Sequence, residues 1–399
     1  FTEAWSTSPY TLPAHMSLFS GQAPSVHGVQ GPLHRLDPSR TRLLAEILAS
    51  HGWTTGAFTG GGYVHSTFGF DRGFDRYGSI DPATNLESGR IRALLADTPG
   101  LSEDLARENR AMRIARWIGD HAAEPFLLFV HTYAVHEFDP PVLHLEGAGG
   151  SGPGLSQDLV SMGHLGLRGP PPGDLTAEAV RRLDALYAGA VRQADEMVGV
   201  IVDALRGQGL LDDTLLVVTS DHGKEIGDHG RVGHGVTLYE ELLAVPLLLR
   251  GPGVEAGRDD RPASLVDIFP TVLDLLGIRA PTVGQGRSLL GDGPPRALFA
   301  EVDNLAVKTA VRTGNMKTIH SPLDAGAAYP NEVEWEFFDL SKDRSEQAGG
   351  AAPEGVRRRH LERRDALRGL GVSLGGVRGQ EALPGAVVEQ LRSLGYILD

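Results

Sequence analysis

Cysteine is absent from this chain. Its absence excludes disulfide staples, zinc–thiolate sites and a cysteine nucleophile, and it leaves the compartment open, because oxidising and reducing environments both tolerate a cysteine-free protein. Long apolar runs are missing too. None approaches the roughly 20 residues of a membrane-crossing helix, so no membrane segment is expected within the chain. Positive charge is scarce: 37 Lys and Arg stand against 51 Asp and Glu, a net charge of −14, which argues against nonspecific nucleic-acid binding. An anionic substrate must therefore be gripped by local positive charge or by a metal. Aromatic residues make up 6% of the chain, and no internal repeat is evident. The chain opens on Phe1-Thr2-Glu3-Ala4 rather than Met, which reads as the interior of a longer sequence, with any signal or anchor segment expected upstream.

What is present suits a loop-rich α/β enzyme. The 399 residues are 41% apolar, enough for a large core and a small second domain, and 52 Gly and 25 Pro supply many turns. The opening to Val29 reads as loop and turn. Asp37-Pro38 reads as an N-cap with proline at the first helical position, followed by an apolar face of Leu43, Leu44, Ile47 and Leu48 and a stop at Gly52. Helical spacing from Val180 to Leu205, closed by Gly209, predicts a long helix, and 104–118 and 265–276 predict two more. Continuous apolar runs at 126–130, 214–219 and 245–249 suit strands buried on both faces, with shorter strands at 54–58 and 297–300. Helices alternating with such strands predict a large, mostly parallel central sheet covered by helices on both faces.

The pattern changes near Asn304. Residues 307–312, 316–320 and 334–340 predict a small antiparallel sheet, followed by two helices. This gives a catalytic domain over 1–304 and an α+β subdomain over 305–399. Residues 147–173, rich in Gly and Pro, are expected to form a long loop of the kind that serves as a lid or substrate wall. Arg357-Arg358-Arg359 and Arg363-Arg364 alternate with acids and read as a solvated helix face.

Chemistry concentrates in three places. Ser220-Asp221-His222-Gly223 leaves the 214–219 strand at its carboxyl end, where open α/β sheets place their sites. A carboxylate and an imidazole there are good ligands for a hard or borderline divalent cation. Asp228-His229-Gly230 and Gly233-His234-Gly235 follow within about fifteen residues; one Asp-His pair is explained by a hydrogen-bonded turn, but such a run points to a site. His131 and His136 lie where the 126–130 strand exits, either both toward a cleft or one in the core and one on the surface. Thr11-Leu12-Pro13-Ala14-His15, continued by Ser17-Leu18-Phe19-Ser20-Gly21, reads as a turn running into a helix, with Thr11 either an N-cap or a reactive hydroxyl.

In this order the segments resemble the sulfatase family of the alkaline phosphatase superfamily. The stretch from Thr11 to Gly21 is similar to the family's nucleophile signature, Cys or Ser, any residue, Pro, Ser, Arg, then a Leu-Thr-Gly ending. Pro24-Ser25-Val26-His27-Gly28-Val29, Gly69-Phe70-Asp71-Arg72-Gly73-Phe74-Asp75, Ser220-Asp221-His222-Gly223, Leu265-Val266-Asp267-Ile268-Phe269-Pro270 and Leu391-Arg392-Ser393-Leu394-Gly395-Tyr396 continue the likeness. The departures are specific. Threonine stands at the nucleophile position and cannot be oxidised to formylglycine. His15 replaces the supporting arginine, Asp221-His222 replaces an Asp-Asn metal pair as in phosphatase and phosphonate-ester hydrolase relatives, and His234 aligns with the usual lysine. The family's Gly-Lys-Trp-His segment has no counterpart near Gly60-Gly61-Gly62-Tyr63, and its first strand, with one or two aspartate ligands, is expected before Phe1.

The resemblance implies a metal-dependent hydrolase of sulfuric or phosphoric esters, acting through a covalent intermediate. Thr11 would be the nucleophile, with His136 and His234 as acid–base groups and His15 and His131 near the substrate. Asp221 and His222 would hold one divalent cation, calcium or manganese in the first place and zinc in the second. The substrate would be an anionic ester, small or linked to a glycan or lipid, and the family points to an extracytoplasmic setting. Threonine cannot expel sulfate from a geminal diol, so its ester must be broken by in-line water attack, which favours phosphate or phosphonate. Two alternatives stay open: an envelope phosphoryl-group transferase, and a catalytically dead binding relative.

Overall fold

The computed structural model describes residues 1–79, 111–136, 175–281, 284–291, 293–303, 306–323, 333–374 and 383–393. The expected loop at 147–173, the start of the helix expected at 104–118, Asn304 and the terminal Leu394-Gly395-Tyr396 lie outside the described residues.

The opening region holds more than loop and turn, and the turn read as running into a helix at Thr11 does so. Strand β1 (Ala4–Trp5) leads into helix α1 (Thr11–Ser20). Pro13 sits in the first turn of α1, where the missing N–H has no intrahelical partner to lose. Gly21, at φ 68°, closes the helix in the left-handed region and donates its N–H to the Ser17 carbonyl. Nearly every residue of α1 is buried, so no amphipathic stripe announces it. After the one-turn helix α2 (Pro24–His27), helix α3 (Leu44–Ser50) starts later than Asp37-Pro38 suggests. Asp37 instead closes a tight turn, accepting from the Ser39 N–H at 2.9 Å, while Glu46 accepts the Leu43 N–H at 2.8 Å and caps α3. The Gly69–Asp75 motif is scaffolding: Arg72 grips both Glu46 oxygens at 2.9 and 2.8 Å, and Asp75 accepts the Thr55 N–H at 2.9 Å.

Strands β2 (Thr54–Thr59), β3 (Arg76–Ser79) and β4 (Phe126–Val130) form a parallel sheet in the order β3-β2-β4, with β2 buried at its centre. A helix over 111–120 packs Ile114 and Trp117 beneath Phe58. The long helix spans Ala177–Gly207, with Thr176 accepting from the Ala179 N–H and Gly209 at φ 71° just past its end. Strand β5 (Leu216–Thr219) precedes two short strands, β6 (Glu225–Ile226) and β7 (Val232–Gly233), which form a hairpin. Strand β8 (Leu247–Arg250) pairs with β5, and β9 (Ala263–Ser264) pairs with β1 in parallel. Hydrogen bonds from Val245 N to Ala4 O and from Ser6 N to Leu243 O join these pairs into a run β9-β1-β8-β5. β8 runs against β5 and is the antiparallel member of an otherwise parallel arrangement. β4 and β5 are half-buried rather than buried on both faces, and each pairs on one side only among the described residues.

Four strands form the C-terminal antiparallel sheet: β10 (Ala297–Asp303), β11 (Val307–Thr313), β12 (Met316–His320) and β13 (Trp335–Asp339). β10 precedes residue 304 yet pairs with β11 along its whole length, so the sheet draws strands from both sides of that position. Its Leu298, Ala300, Ile319 and Phe338 share one apolar core with Trp5, Tyr10, Leu12 and Phe19. Helices over Glu354–Ser373 and Gly385–Ser393 follow. Among the described residues, no helix is long and apolar enough to cross a membrane.

Candidate active site

Four chain segments converge. α1 presents Thr11 and His15 one turn apart on the same face. The exit of β4 brings His131 and His136, and the exit of β5 brings Asp221 and His222. The loop after β7 adds His234. Local contacts set the β5 exit: the Ser6 hydroxyl donates to the Asp221 carbonyl, and Gly223 donates its N–H to Leu242 O at 2.8 Å. A methyl group on Gly223 would overlap the Glu241 carbonyl oxygen, so only glycine allows this approach.

Asp221 lies at the centre. Its Oδ2 is 3.4 Å from His15 Nδ1 and 3.5 Å from His222 Nε2. Thr11 Oγ1 is 3.4 Å from His222 Nε2 and is buried. The N-cap of α1 is Tyr10, so Thr11 is the first helical residue rather than the cap. His222 Nδ1 lies 2.8 Å from the Gly223 carbonyl, an acceptor only. Nδ1 therefore carries the proton, and Nε2 turns its lone pair toward Thr11 and Asp221. The rings close into a cage with centroid separations of 5.0 Å for His15–His131, 5.1 Å for His136–His234 and 4.6 Å for the stacked His222–His234 pair.

Burial decides the charges. It pushes the His131 imidazole down to about 3, helped by the nearby His15. His234 is held well below its ordinary value by burial and then by His222 and His136. His222 is lowered because burial outweighs the pull of Asp221. For Asp221 burial opposes ionisation, but His222 and His15 overcome it and hold the carboxyl well below the usual range. Burial thus lowers three of the cage imidazoles, His131, His222 and His234, around the Asp221 carboxylate.

Sequence reading missed two neighbours. Lys224 is buried and donates to the His136 carbonyl at 2.7 Å, placing a cation behind the histidines. Its signal was a lysine directly after Ser220-Asp221-His222-Gly223, hidden because the motif ends at the glycine. Tyr133 stands between His131 and His136, at 4.7 and 5.3 Å by ring centroid, and its hydroxyl accepts the Tyr63 N–H at 3.1 Å. His229, in contrast, turns away from the cage. It sits in a short turn at φ 50°, 2.7 Å from Glu241, and stacks on Tyr239 at 3.8 Å. The hydrogen-bonded-turn explanation holds for that pair.

The profile of the sulfatase family matches residues 1–278, and the chain belongs to that family, within the alkaline phosphatase superfamily. It is 26% identical over 395 residues to arylsulfatase K of Bos taurus, covering 88% of this chain and 71% of that protein. Choline-sulfatase of Rhizobium meliloti is 33% identical over 180 residues, 43% of this chain and 33% of its own length. The chain spans 58% of the length of the Homo sapiens arylsulfatase K. Among solved structures, phosphonate monoester hydrolase of Agrobacterium radiobacter is similar with a TM-score of 0.73 at 22% identity, over 94% of this chain and 88% of that one. The enzyme of the same name from Silicibacter pomeroyi gives 0.70 at 20% identity, over 95% and 92%.

Sulfatases generally use a divalent metal. Among the described residues, no three His, Asp or Glu side chains form a metal cage. Asp221 and His222 nonetheless offer an ionised oxygen donor and a neutral nitrogen lone pair close enough to face one ion, with the nitrogen fixed by its Gly223 bond. That donor pair fits part of a divalent site.

Proposed function

We propose that this chain is a metal-dependent hydrolase of phosphate, phosphonate or sulfate esters in which Thr11 is the nucleophile. The observation that carries the reading is the placement of the Thr11 hydroxyl, buried at the start of α1 and 3.4 Å from His222 Nε2, beside the Asp221 carboxylate. Asp221 and His222 would hold the cation, which when bound lowers the pKa of a nearby hydroxyl and offsets charge on the transferring group. Thr11 Oγ1 attacks phosphorus or sulfur and displaces the ester oxygen. His136, packed against His234 at 5.1 Å by ring centroid, gives that alkoxide a proton, while burial keeps the neighbouring His234 neutral. Water then attacks in line and gives its proton to the imidazole that had protonated the alkoxide, the bond to Thr11 breaks, and the threonine oxygen takes back from solvent the proton it lost there on attack. A threonine ester has no geminal hydroxyl to expel sulfate, so phosphate and phosphonate esters are the preferred substrates. The names of the two phosphonate monoester hydrolases agree with that preference.

A second reading has one observation in its favour. His222 Nε2 faces Thr11 with its other nitrogen bound to a carbonyl, which is also how a general base is held. The same lone pair cannot serve both roles. Metal analysis separates them: under the first reading Asp221→Ala lowers bound metal, and under the second it leaves metal content unchanged.

The nucleophile is tested by substitution. Thr11→Ala is expected to melt within a few degrees of the parent, since losing one hydroxyl hydrogen bond costs about 1 kcal/mol. Its turnover should fall by about 10³-fold or more, while Thr11→Ser keeps part of the rate. Parental turnover in Thr11→Ala would remove the threonine from the chemistry.

A further inference from the structure

The protein carries a net charge of −14, yet one cavity concentrates positive charge. It has a volume of about 310 Å³ and is lined by Gln285, Arg287, Arg296, Ala297 and Arg363. Among the described residues, no carboxylate lines it. The guanidinium groups come from separate places in the chain: Arg287 and Arg296 from the segment leading into β10, and Arg363 from the basic run on the Glu354–Ser373 helix. That run reads in sequence as a solvated face, and Arg363 is exposed on it while also lining the cavity.

The three cations differ in how far they are neutralised. Arg296 is paired with the buried Asp267, whose carboxylate also accepts the backbone N–H groups of Ser264 and Arg287 at 2.8 Å each. The Arg287 side chain donates to the Pro294 carbonyl at 2.8 Å, a contact that positions it without cancelling its charge. Burial, and then the charges of Arg296 and Arg287, push the Arg363 guanidinium below its ordinary value, as expected where like charges are gathered. Among the described residues, Arg287 and Arg363 line the cavity with no carboxylate in its wall, and guanidinium forks match tetrahedral oxyanions.

The cavity is separate from the histidine cage. Gln285 is fixed to the far end of α1, donating its N–H to Gly21 O at 2.8 Å and accepting the Ala23 N–H at 2.9 Å. Thr11 opens that same helix, so about 15 Å of helix stands between the two places. The volume also exceeds what a bare oxyanion fills and reaches the lower range of small-molecule pockets.

We propose that this cavity is an anion-binding site that takes a dianionic sulfate or phosphate group carried on a small molecule. Arg287 and Arg363 supply the charge, and Arg296, held by Asp267, supplies a fixed wall. The test is calorimetric titration at low ionic strength with two probes, glucose 6-phosphate and inorganic sulfate. It is run on the parent protein, on Arg287→Gln/Arg363→Gln, and on Arg287→Lys/Arg363→Lys. Both side chains are exposed, and the Arg296–Asp267 pair is left intact in each variant. Glucose 6-phosphate binding should weaken by about tenfold or more in the glutamine variant and largely survive in the lysine variant. Hydrolysis of a small aryl ester should stay within about twofold of the parent in both. Equal affinity for glucose 6-phosphate in the parent and the glutamine variant overturns the site, as does no binding of either probe by the parent. Sulfate binding as tightly as the sugar phosphate overturns the assignment of the remaining volume to a carrier molecule.

Discussion

Two buried polar assemblies in this protein are built on opposite terms. One joins the first strand to the C-terminal sheet. Glu240 accepts from the Trp5 indole N–H and from Lys317, each at 3.0 Å; Lys317 also pairs with Glu346 at 2.8 Å, and Arg312 pairs with Glu3. There each buried cation meets a carboxylate, and the Lys317 ammonium also rests over the Trp5 ring at 4.9 Å. The other assembly is the histidine cage. It gathers five imidazoles around Asp221 and packs ring against ring. The first is arranged as structure, because matched charges hold two parts of a core in register. The second buries imidazoles, a carboxylate and a hydroxyl without that matching, a departure from the rules of a stable core that binding and catalytic sites commonly show.

That contrast can be broken from either side. The largest effect is expected in the cage. His136→Ala should cut turnover of alkyl esters by about 10²–10⁴-fold and spare nitrophenyl esters, which leave without a proton. A uniform loss across both would move His136 from proton donor to structural support. In the ion network the expectation reverses. Lys317→Met strands buried carboxylates and should cost about 3–5 kcal/mol in denaturant unfolding, with turnover per folded molecule preserved. A variant that keeps its stability but loses turnover would place Lys317 with the chemistry instead.

The smallest effect is a pH dependence at the edge of the network. Burial opposes the His229 charge, but the Glu241 carboxylate at 2.7 Å and the Glu346 carbonyl outweigh it and raise the imidazole to about 9. The folded pKa lies above the unfolded value near 6.5, so the stabilisation is complete below pH 6.5 and is lost as pH rises through about 9. His229→Asn should melt roughly 2 °C below the parent at pH 6, with the gap closing by pH 10. A gap that is constant with pH would show packing rather than charge at work.

The same contrast explains what the sequence could show. The helix Ala177–Gly207 was legible because half of it faces solvent and its apolar residues keep a helical period. α1 was not legible as a helix by period, because burial on all sides erases the stripe and only Gly21 marks an end. Thr11, His15, Asp221 and His222 of the cage were legible through the motifs Thr11–Gly21 and Ser220–Gly223. Lys224 and Tyr133 were not, because their role comes from rings and a carbonyl brought close by three separate segments. His229 carries the same Asp-His-Gly signature as a site residue, yet its backbone at φ 50° aims it at Glu241. No local pattern reveals which way such a turn points. The reach of the C-terminal sheet was also hidden, since the pairing of β10 with β11 depends on register rather than on either run alone.

The central claim is that Thr11 forms the covalent intermediate. Intact-mass measurement of protein quenched during slow turnover of a phosphate or phosphonate ester addresses it directly. A phosphoryl- or phosphonyl-sized adduct on the peptide containing Thr11, absent in Thr11→Ala, is the predicted result. Steady turnover with no adduct, or with the adduct on another residue, would contradict it.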